Sequence, residues 1–164
     1  MDYVLSTGLM KGMGNGVFAP NTTVTRGMIV TMLYRLAGEP DAENPTPFTD
    51  VARNKYYANA VAWAYENEIA MGVTDTRFAP EAPATREQVV TFLYRYAKFV
   101  GMDVSAQGSL RDFSDGQTVS AYAEEAVAWA VGRGLLVGDN GNLLPRDTAT
   151  RAQLATIIFR FLEK

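Results

Sequence analysis

The 164-residue sequence contains neither cysteine nor histidine. The absence of cysteine excludes disulfides and thiol chemistry, and the absence of histidine removes the commonest general base and the commonest zinc ligand. The sequence also lacks a run of about 18 apolar residues, so it predicts no membrane-spanning helix. The formal net charge of −3 makes nucleic acid and anionic membranes unfavourable as nonspecific partners.

Acidic residues and glycine-rich loops are present, but they form no recognisable metal or cofactor motif. Asp75 and Asp139 lie in loops that lack the acidic series and the distal glutamate of a calcium-binding loop. The glycines of residues 12–16 have the wrong spacing for a dinucleotide-binding loop. The sequence therefore predicts no metal site, no cofactor and no catalytic centre.

A tripeptide that begins Thr-Arg occurs three times, and each arginine follows a proline by six residues. The arginines are 60 (86 − 26) and 65 (151 − 86) residues apart. Self-similarity at such a spacing indicates a repeat architecture. The three copies are Thr25-Arg26, Thr85-Arg86 and Thr150-Arg151.

Further segments recur in the same order along the chain. Phe48-Thr49-Asp50 corresponds to Phe113-Ser114-Asp115, and an Ala-Val-Ala-Trp-Ala segment occurs at residues 60–64 and 126–130. We predict one domain of three repeats, with boundaries at residues 1–40, 41–100 and 101–164. The first repeat starts within its first helix and has no Phe-x-Asp segment, so we expect its uncovered apolar surface to favour a homo-oligomer.

Each repeat is predicted to form a helix, a loop and a second helix. Apolar residues at helical spacing predict first helices over roughly residues 57–68 and 121–133. Each second helix begins at a threonine, and a glutamine three residues later predicts a capping box in the second and third repeats. Met28 occupies that position in the first repeat, which predicts that only half of the box is formed there.

The second helices carry wide apolar stripes that include Leu33, Leu93 and Ile158 at related positions. Stripes of this width are buried against neighbouring helices. We therefore predict an all-α fold, in which three helix-loop-helix repeats have a pseudo-threefold arrangement around a central three-helix bundle.

The arginines occupy an unusual position at the start of each second helix. A cation there faces the positive end of the helix dipole, which costs about 0.3–1 kcal/mol where it is exposed. The same helix end, with its free amides, attracts anions, and a guanidinium binds carboxylate or phosphate bidentately. Arg26, Arg86 and Arg151 are therefore candidate ligand-binding residues, and their removal is expected to change stability little.

Two alternatives remain open for these side chains. An internal salt bridge, for example from Arg86 to Asp50 or Asp115, also explains the arginines, and such an aspartate could instead orient an arginine that holds a ligand. Trp63 and Trp129 could offer flat faces to sugars, aided by nearby tyrosines, but both also fit packing in the core. The tyrosines are Tyr56, Tyr57 and Tyr122.

The order Phe-x-Asp, Ala-Val-x-Trp-Ala, Gly-loop-Phe-x-Pro and Thr-Arg-x-Gln resembles the S-layer homology domain over nearly the whole chain. The resemblance implies a helical domain with three grooves between repeats. It also implies a non-catalytic, extracellular module that attaches exported proteins to pyruvylated secondary polysaccharides of the bacterial cell wall. In that family the Thr-Arg arginine holds the pyruvate ketal, and the family's Phe-x-Asp aspartate maps onto Asp50 and Asp115 only.

This sequence departs from the family pattern after each arginine. Gly27-Met28 replaces the Ala-Glu pair in the first repeat, so Arg26 is expected to contribute least to binding. Glutamine replaces the glutamate at Gln88 and Gln153. Two other functions remain as alternatives: a helical-repeat module that binds another protein, and a glycosidase with paired carboxylates.

Overall fold

The computed structural model describes residues 22–43 and 45–163, and these residues form five α-helices and three short 3₁₀ helices. Within the described ranges only isolated β-bridges occur and no strand is formed. The predicted all-α class is confirmed. The α-helices are α1 (Arg26–Leu36), α2 (Ala58–Glu66), α3 (Arg86–Phe99), α4 (Glu124–Gly132) and α5 (Arg151–Glu163), and the 3₁₀ helices are Leu110–Asp112, Gly116–Thr118 and Ala121–Ala123.

Complete capping boxes begin the second helices of the second and third repeats. Gln88 N donates to the Thr85 hydroxyl (3.2 Å), and Thr85 N donates to Oε1 of Gln88 (3.0 Å). Thr150 and Gln153 form the same pair at the start of α5. These local bonds satisfy amides that an α-helix cannot satisfy by itself, and they explain why each helix begins at its arginine.

The first repeat also closes its capping box, which differs from the prediction of half a box. Met28 N donates to the Thr25 hydroxyl (3.2 Å), and Thr25 N points to the Met28 sulfur at 3.5 Å. Sulfur is a weaker acceptor than an amide oxygen. The first helix therefore keeps the geometry of the box with one weaker bond.

This difference predicts that Met28→Gln stabilises the protein. Glutamine would replace the sulfur acceptor by an amide oxygen, as in the other two repeats, for a gain of about 0.5–1 kcal/mol. Thermal unfolding should show a rise of about 1–4 °C in Tm. Met28→Leu, which has a similar volume and no acceptor, is the matched control; an equal rise in that variant would contradict the capping explanation.

The first helices are shorter than the sequence suggested. Helix α2 ends at Glu66, and Glu68 adopts a left-handed conformation (φ 59°) that ends the helical path. Gly134 does the same (φ 74°) after α4. At its other end, α4 begins only at Glu124, because Ala121–Ala123 forms a 3₁₀ turn.

A ring of three backbone hydrogen bonds joins the repeats directly before their second helices. Val24 N donates to the Ala149 carbonyl (3.0 Å), Ala149 N to the Ala84 carbonyl (2.9 Å), and Ala84 N to the Val24 carbonyl (2.8 Å). The three residues occupy equivalent positions, so the ring has pseudo-threefold symmetry. This closed arrangement fixes the starting points of α1, α3 and α5 relative to one another.

One hydrophobic core joins the second helices of all three repeats. Leu33, Leu93 and Ile158 belong to it, and each is at most 1% exposed. Helix α1 packs against α3, and Phe161 of α5 contacts the ring of Tyr96 of α3 at a centroid distance of 6.4 Å. The predicted first helix of the first repeat, through which self-association was expected, lies outside the described residues.

Candidate anion-binding grooves

Two of the three motif arginines hold the loop of the next repeat along the chain. Arg26 Nε donates to the Phe78 carbonyl (2.9 Å), and Arg26 Nη2 donates to the Met71 carbonyl (3.0 Å). Arg86 Nε donates to the Leu143 carbonyl (2.9 Å). Both side chains are buried. Each of these arginines therefore crosslinks two repeats through main-chain oxygens.

Arg151 is equally buried, with 5% of its surface exposed. Its main-chain N–H donates to the Thr22 carbonyl (2.9 Å), which links the third repeat back to the first. The loop that corresponds to residues 72–80 and 138–145 comprises residues 12–20, which lie outside the described residues.

The two Phe-x-Asp aspartates bind the same loops from the opposite side. Oδ1 and Oδ2 of Asp50 accept hydrogen bonds from Phe78 N (2.9 Å) and Ala79 N (2.8 Å). Ala79 has a positive φ of 58°, and Leu144 in the third repeat has one of 52°. Such a conformation strains a non-glycine residue, so the carboxylate stabilises a turn that is otherwise unfavourable. At Asp115 the donors are Leu143 N (2.7 Å) and Leu144 N (2.9 Å).

Arginine and aspartate thus bind the same loop backbone and do not form the ion pair that the sequence left open as an alternative. Among the described residues, Asp50 has one salt bridge, to the exposed Arg77 at 3.9 Å, and neither motif aspartate pairs directly with Arg86. The Phe78 carbonyl accepts a hydrogen bond from Arg26, and the Phe78 N–H donates one to Asp50. The internal role of these side chains is therefore to fix the loop.

These hydrogen bonds change the acidity of both aspartates. Partial burial raises the pKa of Asp115, but the bonds from Leu143 N and Leu144 N outweigh this effect, so its pKa lies below the ordinary value. The pKa of Asp50 is lowered for the same reason. A carboxyl with a depressed folded-state pKa stabilises the fold above its unfolded pKa of about 3.9 and loses this contribution as the pH falls through the folded value.

Asp115→Asn is expected to destabilise the protein by about 1.5–3 kcal/mol at pH 7, because the amide nitrogen of asparagine would face a backbone N–H donor. The variant should also lose less stability than the unsubstituted protein between pH 5 and pH 2. Urea unfolding across this pH range measures both effects. Asp75→Asn, at an exposed loop position, is the control, and equal losses in the two variants would contradict the loop-fixing role.

The starts of α1 and α3 do not offer the free amides that the sequence predicted for an anion. Arg86 N donates to the Asp147 carbonyl (2.9 Å), and Glu87 N donates to the Pro145 carbonyl (2.9 Å). Gln88 N is bound by the Thr85 hydroxyl. Backbone carbonyls from the loop of the neighbouring repeat therefore accept the hydrogen bonds at this end of the helix. These amides are not available to an anion, so this part of the prediction is wrong.

The Arg26 guanidinium packs against two aromatic rings. Its central carbon lies 4.7 Å from the centroid of Phe78 and 5.2 Å from that of Phe92. Burial lowers the pKa of Arg26, Tyr122 opposes this effect, and the positive charge of Arg95 adds to it. Arginine nevertheless stays charged in proteins. Two of its five N–H donors are bound by carbonyls of described residues, so the fixed cation retains donors for a ligand.

A cleft of about 390 Å³ opens beside this arginine, and we call it groove A. All three repeats contribute to it, since Arg26 belongs to the first, the loop and α3 to the second, and Tyr122 to the third. Its volume lies in the range of small-molecule sites. Groove A is lined by Arg26, Met71, Gly72, Val73, Gln88, Thr91, Phe92, Arg95 and Tyr122.

A second cleft of about 340 Å³, groove B, occupies the equivalent place one repeat later. Arg86 corresponds to Arg26, and Arg160 corresponds to Arg95. Asp139 lines groove B, whereas the described residues that line groove A include no carboxylate. Groove B is lined by residues 135–139 with Arg86, Ala152, Gln153, Thr156, Ile157 and Arg160.

Similarity to known proteins agrees with the three-repeat organisation. The S-layer homology domain family matches residues 1–27, 47–90 and 112–155, with one match in each predicted repeat. These segments cover more than half of the chain. The chain belongs to the S-layer homology domain family. The resemblance noted in the sequence is therefore confirmed, and with it the assignment to a bacterial cell-surface module, since such domains anchor proteins to the cell surface and are not catalytic.

Relatives of this S-layer homology domain are much longer proteins. It is 32% identical to the surface-layer 125 kDa protein of Lysinibacillus sphaericus, over 98% of the chain and 13% of that protein. It is 32% identical to an amylopullulanase of Thermoanaerobacterium thermosulfurigenes, over 100% of the chain and 9% of that protein. A cellulosome-anchoring protein of Acetivibrio thermocellus is 26% identical, over 94% of the chain and 35% of that protein. No helix in the described part of the chain is long and apolar enough to cross a membrane.

The tryptophans of this S-layer homology domain lie in its core. Trp63 is 2% exposed and Trp129 is 0% exposed, and their rings contact Tyr34 and Tyr94 of the neighbouring second helices at 5.6 and 5.4 Å. This placement agrees with the packing alternative, and it leaves neither ring face open to a sugar. Two of the candidate tyrosines are exposed, Tyr122 at 54% and Tyr56 at 47%, and of these Tyr122 lines groove A.

Sequence reasoning missed Arg95 and Arg160 as site residues. They follow the motif arginines by nine residues in the second and third repeats, and Arg35 has the same place in the first. The repetition itself is the signal that could have identified them. On α3, Gln88, Thr91 and Arg95 lie at helical spacing on one face, which explains why all three line groove A.

Proposed function

We propose that the chain anchors the protein that contains it by binding an anionic secondary cell-wall polysaccharide, of the pyruvylated kind, in the grooves between repeats. The observation that carries this proposal is groove A, where Arg26 and Arg95 line one cleft without a carboxylate among the described lining residues. We therefore propose a larger role for Arg26 than its altered motif predicted. The chain has a net charge of −3, but the two arginines give this cleft a local positive charge. A negatively charged ligand would relieve it.

Arg26 and Arg86 are proposed to hold the acidic substituent of a sugar in grooves A and B. Their guanidinium groups are already fixed by loop carbonyls, so little side-chain entropy is lost on binding. Arg151 is proposed to have the same role in the third groove. Asp50 and Asp115 are proposed to act indirectly, because they fix the loops that the arginines also hold.

Tyr122 is proposed to provide the apolar platform for a sugar ring that the tryptophans do not provide. Tyr122 is exposed, and it lines groove A together with Gln88. Met71 and Val73, which are 53% and 52% exposed, are the apolar lining residues contributed by the adjacent loop. A site with an apolar lining and a few fixed charges is typical of small-ligand recognition.

Cosedimentation with purified bacterial cell-wall sacculi tests the proposed function. The chain should sediment with intact sacculi and remain in solution after mild acid has removed the polysaccharide. Because several grooves on one polymer can conceal the loss of one, the variants should be compared with a soluble single-repeat fragment of the polysaccharide by calorimetry. Tyr122→Ala is expected to weaken this binding, and Arg77→Ala, at an exposed loop position outside the grooves, should leave it unchanged.

The same experiments separate the proposal from its alternatives. Sedimentation that survives removal of the polysaccharide would indicate binding to another wall component and contradict the proposal. A protein partner, as in a helical-repeat interaction module, would be indicated if the chain fails to bind the purified polysaccharide but binds wall proteins. Release of reducing sugars by the chain would support an enzyme.

A further inference from the structure

We propose that groove A recognises a group with two negative charges, and that Arg95 distinguishes such a group from a singly charged one. This inference rests on the proposed function, because it specifies the ligand of the same groove. Arg95 and Arg26 are close enough for the charge of Arg95 to lower the pKa of Arg26. They line one cleft although they belong to different repeats.

No polar interaction within the described ranges explains why Arg95 lies in the groove. It forms no hydrogen bond or ion pair with any residue of the described ranges, in contrast to Arg26, which is bound by two carbonyls. Burial lowers the pKa of Arg95, so its position is unfavourable for a cation without a ligand. Among the described residues nothing occupies its guanidinium donors, so they can bind an anion that Arg26 holds on one side.

Groove B provides an internal comparison, because the equivalent arginine has other interactions there. Arg160 Nη1 donates to the Leu135 carbonyl at 3.3 Å, and Asp139 contributes a negative charge to the lining of the same groove. The net charge of the described lining residues is thus two positive in groove A and one positive in groove B. The two grooves occupy equivalent places in successive repeats but differ in charge, so they are expected to prefer different anions.

The chemistry that matches groove A is a glycan unit with two negative charges within reach of one sugar ring. A phosphate monoester carries between about 1.5 and 2 negative charges at pH 7 and offers three acceptor oxygens to two guanidinium groups. Two neighbouring carboxylates, such as those of a pyruvate ketal carried by a uronic acid residue, satisfy the same requirement and remain within the pyruvylated class of the proposed function. A single carboxylate would be bound fully by Arg26 and would leave Arg95 without a partner.

The test uses three defined probes and the backbone amide signals of Gly72 and Gly138, which report grooves A and B separately in NMR titrations. The probes are glucose 6-phosphate with one doubly charged phosphate, malonic acid with two neighbouring carboxylates, and methyl β-glucuronide with one carboxylate. We expect at least one of the first two to bind groove A about tenfold more tightly than methyl β-glucuronide. Which of them does so identifies phosphate or paired carboxylates as the charged group.

Arg95→Gln is expected to lower the affinity of groove A for the doubly charged probe about tenfold. Its affinity for methyl β-glucuronide should change less than about twofold. Arg160→Gln is the matched control and should leave the titration of Gly72 unchanged. Because Arg95 has no hydrogen bond to the described fold, Arg95→Gln should unfold at nearly the same temperature as the unsubstituted protein. An equal loss for singly and doubly charged probes would overturn the proposal.

Failure of this inference can be distinguished from failure of the proposed function. If no probe shifts Gly72 but the chain still sediments with acid-labile polysaccharide, the double-charge preference is wrong and wall anchoring stands. If Gly72 responds as expected but sedimentation does not depend on the polysaccharide, groove A is an anion site and wall anchoring is wrong.

Discussion

Arg26→Ala is expected to destabilise the protein by about 2–4 kcal/mol, which corresponds to a fall of about 5–15 °C in Tm. The substitution leaves the carbonyls of Phe78 and Met71 without their side-chain donor, and it removes a cation that packs against two aromatic rings. From sequence alone a small effect was expected, because a cation at a helix start gains nothing from the helix dipole. Thermal or urea unfolding measures the difference.

Arg77→Ala is the control for this effect, since Arg77 is exposed and forms only a surface ion pair worth less than about 1 kcal/mol. Arg26→Lys should recover part of the stability but little of the ligand binding, because lysine keeps the charge and loses the planar fork. An Arg26→Ala variant that melts normally while failing to bind the soluble polysaccharide fragment would show that the loop does not need the arginine. An early-melting variant that binds normally would show that Arg26 is structural alone.

Leu93→Ala is expected to cost about 2–5 kcal/mol, because Leu93 is 1% exposed at the centre of the shared core. The cavity would lie between helices that start from the closed backbone ring, so the surrounding structure can collapse only partly. Leu33→Ala and Ile158→Ala change equivalent positions and should cost similar amounts. Equilibrium unfolding in urea gives all three values.

Val100→Ala, at a position that is 45% exposed beyond the end of α3, should change stability by less than about 0.5 kcal/mol. If Leu93→Ala costs no more than this control, the second helices do not share a packed core. A large cost at Leu93 with small costs at both equivalent positions would indicate that the core is centred on one repeat and is not pseudo-threefold.

Much of the fold could be predicted because its signals are local. The threonine caps, the glutamines three residues later and the apolar stripes act within about four residues of each other, and they located α1, α3 and α5 correctly. The ends of α2 and α4 were predicted less well. A left-handed residue follows each helix, Glu68 after α2 and Gly134 after α4. A glutamate in the sequence gives no signal for this conformation, because non-glycine residues rarely adopt it.

The site could be predicted only in part. Repetition of the motif identified Arg26, Arg86 and Arg151 as special, but the same argument assigned them free helix amides that the neighbouring loop in fact occupies. Arg95 was missed because a charged residue on a helix face is usually solvated, and only the fold brings it beside Arg26. Trp63 and Trp129 remained ambiguous in sequence because aromatic residues at helical spacing suit a core and a sugar platform equally.

The sequence by itself determined the number of repeats, the helical class, the starting point of each second helix and the membership in the S-layer homology family. These follow from composition, from self-similarity and from interactions between residues that are close in the chain. Only the tertiary structure decided which loop each arginine holds, since Arg26 and Phe78 are 52 residues apart. It also decided that the two described grooves differ in charge, because each groove is assembled from separate repeats whose side chains become neighbours only when the ring of repeats closes.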